Sequence, residues 1–479
     1  MTSVATDAFA WALDLLKDWE LDDPERRVAF DLWAGEEKSP TGDWPVEPVE
    51  AGGAIAQTRA RLLAGEVTSA QLVEDALAIA AEVNDELVGF VELTAEAARA
   101  DAAERDRELS EGIVRGRLHG IPVTIKDVIH VAGVPTRCGS DAFATVPEQD
   151  AWAVARLREA GAVILGKVST HEFALGVTSP QSRNPHDVTR IPGGSSGGSA
   201  VAVSTGMGLA SLCTDTRASS RVPAALSGVV GIKPTYGAIP TRGVVPLGWT
   251  MDHVGVIAGN VADAVSTLDL LRGGEPAAVA LNAGVEGLTI GLPIASFEEV
   301  DPEVEASVRA GVAALIAAGA NEVDLETPGH DEFAGANAGG LITSRCEAAT
   351  FHRELGTDRE LYWPEVRDQL NAADDVLATD YLRAQRYRGW LRERMLAVFD
   401  DVDALVMPTV PVLAPPVEDA DDYLTILSRN AILWSFVGFP AISVPVAPAS
   451  SGLPIGLQVV APPNGEAVLA AVAAAVERA

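Results

Sequence analysis

The chain has 479 residues, 48% of them hydrophobic, and a formal net charge of −33 at pH 7. Because that charge repels nucleic acid and anionic membranes, neither is expected as a partner. A chain of this length and apolar content can fill a large core, and no apolar run in it is long enough to predict a transmembrane helix.

The cysteines and the amino terminus indicate the compartment. Cys138, Cys213 and Cys346 show neither metal-binding nor redox spacing. The first residues carry acids and lack the basic segment of a secretory signal. We therefore expect a cytoplasmic protein whose cysteines are reduced thiols.

Residues 1–50 are acidic and rich in tryptophan and end in the proline-bearing stretch DWPVEPVE, and we take residues 1–52 as one N-terminal arm. Apolar residues at helical spacing in residues 9–16 predict a short helix, which an extended strap would follow. This acidic arm is expected either to pack on its own chain or to contact another copy of it. Residues 53–110 predict helices with charged, solvated outer faces.

From residue 120 onward, short apolar runs alternate with helical stretches. Residues 120–125 predict a strand that ends at Lys126, residues 151–160 a helix and residues 162–166 the next strand. Later strands are predicted at residues 288–292, 404–407, 441–445 and 456–460. This βαβ rhythm predicts an α/β fold with a large mixed, mostly parallel β-sheet that helices cover on both faces.

Helices are expected between residues 300 and 400, where they would form a lid and a substrate pocket. Arg345, Glu347 and His352 could reach that pocket or lie at the surface. The histidines nearest the chain's central segment, His130 and His171, are expected to be packed or hydrogen-bonded rather than catalytic.

Residues 192–234 carry the strongest chemical pattern, because two serine-bearing turns flank a helical run and a short apolar segment. The first turn is GGSSGGS (193–199) and the second is TDTRASSR (214–221). Glycines let backbone N–H groups approach reacting atoms without an obstructing Cβ. One helix and one strand between the turns can bring two hydroxyls together, and Lys126 at a strand end would supply a base.

Other hydrolase arrangements find no support in the sequence. GxSxG does not occur in a plausible strand–turn–helix context, and the seven histidines show no HExxH or paired metal spacing. The glycine-rich turn also lacks the Gly-Lys-Ser/Thr continuation of a phosphate-binding loop.

The chain resembles the amidase signature family of serine hydrolases, whose centre is a Ser-Ser-Lys triad. IPVTIKD resembles the strand that ends in the catalytic lysine, here Lys126. GGSSGGS resembles the turn whose first serine, here Ser195, follows a cis peptide bond. TDTRASSRVPA resembles the turn with the nucleophile, here Ser219, 24 positions further on as in the family. Similar stretches extend over residues 53–479, which the resemblance makes the catalytic domain.

The resemblance implies hydrolysis of a small-molecule amide without a metal or a cofactor. Ser219 would be the nucleophile, Ser195 the proton relay and neutral Lys126 the base, with an acyl-enzyme that yields a carboxylate and ammonia or an amine. A free lysine has a pKa of about 10.4, so this role requires a fall of about 3 units, or about 4 kcal/mol. Burial away from water lowers a lysine pKa in this way. A homodimer is the family's common assembly.

The sequence departs from the family at the oxyanion hole, where Arg217-Ala218 replaces Gly-Gly. The hole would use the backbone N–H groups of Thr216, Arg217, Ala218 and Ser219, and a Cβ is disfavoured there if φ is positive. The Arg217 side chain could pair with a substrate carboxylate or reach solvent. Ser196 could orient Ser195 or contact the substrate.

Three functions therefore stay open. The first is an amide hydrolase, whose scissile group could be an amide, a carbamate or a ureide. The second is the glutaminase component of a tRNA-dependent amidotransferase, which would need partner proteins. The third is a catalytically silent binding protein, whose support is Arg217-Ala218.

Overall fold

The computed structural model of the protein describes residues 4–17 and 52–479. In these residues eleven strands form one sheet. The strands are β1 (Phe90–Leu93), β2 (Pro122–Lys126), β3 (Val163–Val168), β4 (Ala210–Asp215), β5 (Val230–Lys233), β6 (His253–Ala258), β7 (Thr289–Pro293), β8 (Asn321–Leu325), β9 (Ala404–Pro408), β10 (Ala441–Val446) and β11 (Ile455–Val460).

Helices flank this sheet along the described chain. They are α1 (Val4–Lys17), α2 (Gly53–Leu63), α3 (Ser69–Leu87), α4 (Ala95–Ser110), α5 (Trp152–Glu159), α6 (Gly197–Ser204), α7 (Arg221–Ser227), α8 (Val261–Leu271), α9 (Pro302–Ala317), α10 (His330–Leu355), α11 (Pro364–Asp374), α12 (Ala378–Val398), α13 (Leu424–Ser428), α14 (Ile432–Phe436) and α15 (Glu466–Glu477).

The strand order is β1-β3-β2-β4-β6-β5-β10-β11-β9-β7-β8. The pairs β3–β2, β2–β4, β9–β7 and β7–β8 are parallel. The remaining neighbours are antiparallel. The predicted large mixed sheet is therefore confirmed, whereas its mostly parallel pairing is wrong.

The connections explain this mixture of directions. Crossover helices join β2 to β3 through α5, β3 to β4 through α6, and β7 to β8 through α9, and a crossover returns the chain in the same direction. A short loop instead joins β10 to β11, which makes an antiparallel hairpin. The βαβ rhythm therefore holds for β3–β2–β4 and for β9–β7–β8, but not for the antiparallel strands between these two groups.

Most predicted elements are confirmed, including the strands β7, β9, β10 and β11 and the helix α5. Residues 53–110 hold α2, α3 and α4 as predicted, but β1 interrupts them. Val88 ends α3 in the left-handed region at φ 50°, and the chain then pairs along the edge of β3. The sequence did not predict β1, because its four residues lie between two long helical stretches.

The helix predicted for residues 9–16 is confirmed as α1, which packs against α10 and α11 of its own chain. Phe9, Ala12 and Leu16 form its buried side. The strap predicted after it falls at residues 18–51, outside the described residues. No described helix is long and apolar enough to cross a bilayer.

Candidate active site

Lys126 lies at the end of β2, a strand buried along its whole length. Its side chain is fully buried, and Nζ donates to Ser195 Oγ at 2.7 Å and to Thr214 Oγ1 at 2.9 Å. The Lys126 amine thus joins three segments, which are the end of β2, the glycine-serine turn and the end of β4.

Burial lowers the pKa of Lys126 to about 8, although the nearby Asp215 and Asp252 carboxylates and two cysteines oppose the shift. No carboxylate of the described chain forms an ion pair with the amine. At pH 7 about one lysine in ten would then be neutral. This group can therefore accept a proton near neutral pH.

The turn that carries Ser195 packs closely against the first turn of α7. The Gly194–Ser195 peptide is cis. Gly193 has φ +80°, and a Cβ there would lie 3.0 Å from Pro223 Cα. A side chain at residue 193 would therefore push the glycine-serine turn away from α7, the helix that begins two residues after Ser219.

Ser196 is fully buried and does not line the pocket beside Ser219. Its hydroxyl donates to the backbone oxygen of Thr214 at 3.3 Å, which ties the first turn to β4. The hydroxyl of Ser196 thus has a hydrogen bond within the site, and its contact with a substrate stays a prediction.

The second turn is held by a buried ion pair. Arg221 Nε donates to Asp215 Oδ2 at 2.9 Å, and both side chains are fully buried. Although burial favours the protonated acid, the charge and hydrogen bonds of Arg221 keep the pKa of Asp215 well below its usual range. This buried pair therefore holds the shape of the second turn.

The two neighbouring serines of this turn have different environments. The Ser220 hydroxyl donates to Asp215 Oδ2 at 2.7 Å and is fully buried. Ser219 instead lines the pocket. The serine that can meet a ligand is thus Ser219.

The backbone φ angles at the predicted oxyanion hole are compatible with residues other than glycine. Neither Arg217 nor Ala218 has a positive φ, so their Cβ atoms cause no strain there. Within the described chain, the N–H groups of Arg217, Ala218 and Ser219 donate no hydrogen bond. They remain available to an oxyanion. The Thr216 hydroxyl donates to Asp252 Oδ1 at 2.5 Å, and a role for its backbone N–H in the hole stays a prediction.

The pocket beside Ser219 holds about 780 Å³ of atom-free space, including the part open to solvent. Helix α1 contributes Phe9 and Trp11 to its wall, and Arg217 and Arg345 also line it. The N-terminal helix therefore forms part of the wall of this pocket. The sequence offered no signal for that.

The three residues proposed to reach the pocket from residues 300–400 have different positions. All three are buried, so a surface position is wrong for each. Arg345 lines the pocket. Glu347 instead accepts from Thr250, and burial raises its pKa to about 7. His352 is hydrogen-bonded to Tyr362 within an aromatic cluster.

The histidines next to the core are hydrogen-bonded, as predicted. His171 Nε2 lies 2.5 Å from Glu365 Oε1, and His130 Nδ1 lies 3.1 Å from Thr136 Oγ1. No group of three or more His, Cys, Asp or Glu in residues 4–17 and 52–479 is arranged to hold a metal ion. All three cysteines are free thiols.

Two residues that shape the site escaped the sequence analysis. Thr214 bonds the Lys126 amine, and its position just before Asp215 in the serine turn was a usable signal. Asp252 fixes the serine turn through Thr216 and accepts from the backbone N–H of Gly248 at 3.1 Å. Asp252 is far from the motifs in sequence, so nothing indicated its role.

Comparisons with known proteins agree with this architecture. The family model described as Amidase matches residues 71–469. An amidase of Pseudomonas putida is 35% identical over 423 residues, which cover 83% of this chain and 90% of that protein. A glutamyl-tRNA(Gln) amidotransferase subunit of Chloroflexus aurantiacus is 35% identical over 468 residues, covering 88% of this chain and 96% of that protein.

Among solved structures, the peptide amidase of Stenotrophomonas maltophilia superposes with a TM-score of 0.78 and 28% identity. The match covers 91% of this chain and 98% of that one. The chain belongs to the amidase family and is an amide-hydrolysing enzyme, a hydrolase of C–N bonds. The reading as a catalytically silent protein is thereby set aside.

Proposed function

We propose that the protein hydrolyses a small-molecule amide through Ser219, Ser195 and Lys126. The observation that carries the proposal is the 2.7 Å hydrogen bond from the fully buried Lys126 amine to Ser195 Oγ. A buried lysine with a pKa of about 8 can act as a base at a pH where an exposed lysine stays protonated.

In the first half-reaction, neutral Lys126 accepts a proton from Ser195, which accepts one from Ser219. Ser219 Oγ then bonds to the amide carbon, and the carbonyl oxygen becomes an oxyanion. The free N–H groups of Arg217, Ala218 and Ser219 are available to stabilise it, and one such donor is worth about 3 kcal/mol.

Collapse of this intermediate breaks the C–N bond. The leaving nitrogen takes the proton back from Lys126 through Ser195 and departs as ammonia or an amine. Water then loses a proton to the same relay, attacks the acyl-enzyme ester and releases the carboxylic acid with Ser219 restored. The reaction consumes one water and needs no other reactant.

The experiment measures release of ammonia from a panel of primary amides by the wild type, Ser219→Ala and Ser220→Ala. We expect Ser219→Ala to lose at least about 10³-fold in kcat/KM, because the nucleophile is gone. Ser220→Ala is the matched control and should retain turnover, since the Ser220 hydroxyl serves Asp215. Equal losses in both variants would refute the assignment of Ser219.

A second candidate is the glutaminase component of an amidotransferase. It is favoured by the similarity to the glutamyl-tRNA(Gln) amidotransferase protein of Chloroflexus aurantiacus over 96% of that protein. This candidate predicts that L-glutamine alone among the amides releases ammonia, and that a partner protein copurifies from the native host. Turnover of other amides by the isolated chain would favour the free-standing amidase.

A further inference from the structure

Two arginine side chains line the pocket beside Ser219 without a carboxylate partner. Arg217 is 8% exposed and Arg345 is 4% exposed. In the described part of the chain, no Asp or Glu oxygen lies within 4.0 Å of either guanidinium. By contrast, the buried Arg221 of the same turn pairs with Asp215 at 2.9 Å.

Neutral groups hold the two guanidinium groups in place. Arg217 Nη2 donates to Asn337 Oδ1 at 2.8 Å, while its buried Nε has no hydrogen-bond partner. Arg345 donates through Nε to Gln369 Oε1 at 2.6 Å and through Nη2 to Leu175 O at 3.3 Å. Amide and carbonyl oxygens orient a guanidinium, but they carry no charge that would pair with it.

Both groups remain cationic at neutral pH. Burial lowers the pKa of Arg217 to about 10, and burial followed by the charge of Arg217 lowers the pKa of Arg345 to about 9. The charge of Glu365 opposes the shift at Arg345 without cancelling it. Two buried like charges are costly without an anion beside them. A planar carboxylate matches the donor geometry of arginine and would satisfy the free donor as well as the charge.

We infer that the substrate is an amide that also carries a carboxylate, which Arg217 and Arg345 bind while Ser219 attacks the amide carbonyl. This inference rests on the proposed function. Since the arginines and the nucleophile line one pocket, the carboxylate and the scissile amide belong to one short molecule. The arginines act in binding and orientation, and the bond-breaking steps are those already described.

The other charges around the pocket are negative, so they would not attract an anion from a distance. An anion would be bound only by the two arginines inside the pocket. Asp421 and Asp422 are exposed where they line the pocket, and the whole chain carries a formal charge of −33. These charges slow the approach of an anion at low ionic strength, and screening shortens their reach to about 10 Å at 0.1 M salt. We therefore expect kcat/KM for an anionic amide to rise with added salt, opposite to the trend for a pocket that attracts anions from a distance.

The test uses two matched series of amides. One series is succinamic, glutaramic and adipamic acid, and the other is butanamide, pentanamide and hexanamide, which have similar chains without the carboxylate. Ammonia release gives kcat/KM, and protection of Ser219 from a neutral fluorophosphonate probe gives binding independently of turnover. Wild type, Arg217→Met, Arg345→Met and the charge-retaining Arg345→Lys are compared, each with its thermal unfolding midpoint.

We expect the best half-amide to exceed its neutral counterpart by at least about 100-fold in kcat/KM, mostly through KM, since one to two charge-assisted hydrogen bonds act on it. The preference should fall at least about 10-fold in either Met variant and recover in part in Arg345→Lys. A wild type that labels at Ser219, yet neither prefers nor is protected by any half-amide, would overturn the inference and leave the proposed function intact. A folded wild type that neither labels nor turns over either series would overturn both.

Discussion

The pKa of the buried Lys126 amine sets the pH dependence of the proposed reaction. Its folded-state pKa of about 8 compares with an ordinary value of 10.5. At pH 7 the neutral fraction is then about 9%, whereas an exposed lysine would be about 0.03% neutral, so burial raises the active fraction about 300-fold. We expect kcat/KM to rise nearly tenfold per unit below pH 8 and to level off above about pH 9.

Replacing the amine tests this reasoning. Lys126→Met keeps the length of the side chain and removes the base, so kcat/KM should fall by about 10²–10⁴-fold and lose the acidic limb. Lys126→Arg keeps a cation that cannot release its proton and should be similarly inactive. Initial rates from pH 5.5 to 10, with far-ultraviolet circular dichroism of each variant, measure both effects. A Lys126→Met enzyme that kept a tenth of wild-type kcat/KM with an unchanged acidic limb would refute the account.

Linkage gives an independent readout of the same group. Because the pKa is lower in the folded state than in the unfolded chain, the unfolded state binds more protons between about pH 8 and pH 10.5. The penalty for the buried ammonium is therefore full below about pH 8 and disappears as the pH rises to about 10.5. The free energy of unfolding of the wild type should gain about 3 kcal/mol over this window relative to Lys126→Met. Equal pH dependence of the two proteins in urea titrations would contradict the low pKa.

Three further predictions concern the support around the triad. Thr214→Val removes a hydroxyl that accepts from the Lys126 amine and so stabilises its charged form. The pKa of Lys126 should fall, and the acidic limb of the pH profile should move to lower pH. A limb that moved to higher pH would show that the hydroxyl favours the neutral amine. Arg221→Met leaves the buried Asp215 carboxylate without its cation and should cost about 3–5 kcal/mol of stability in urea unfolding, whereas a loss under about 1 kcal/mol would indicate that the pair is dispensable. Gly193→Ala introduces a Cβ at φ +80° and 3.0 Å from Pro223 Cα. It should lower the free energy of unfolding by about 1–3 kcal/mol. An unchanged free energy of unfolding would mean that the turn can move to make room for the Cβ.

The sequence predicted the elements of the site better than the arrangement of the sheet. Lys126 at a strand end and two serine turns around one helix and one strand were visible, because local patterns and spacing encode them. Strand order depends on long-range pairing, which periodicity does not contain. The central antiparallel strands β5, β6 and β10 therefore could not be derived from the βαβ rhythm.

The pocket was the part least accessible from sequence. Arg217 stood out because it replaces a glycine, but its neighbours Asn337 and Arg345 come from α10, more than a hundred positions later. Helix α1 was predicted as a helix, yet nothing in its apolar spacing indicated that Phe9 would line the pocket with Ser219. Contacts between distant segments decide which side chains meet a substrate.

The measurement that tests the central claim most directly is the intact mass of the protein after treatment with a neutral fluorophosphonate, followed by peptide mapping. The account predicts a single adduct on Ser219, at a rate that rises with pH to about 8 and collapses in Lys126→Met. An adduct on Ser220, or equally fast labelling of Ser219 without the lysine amine, would contradict it.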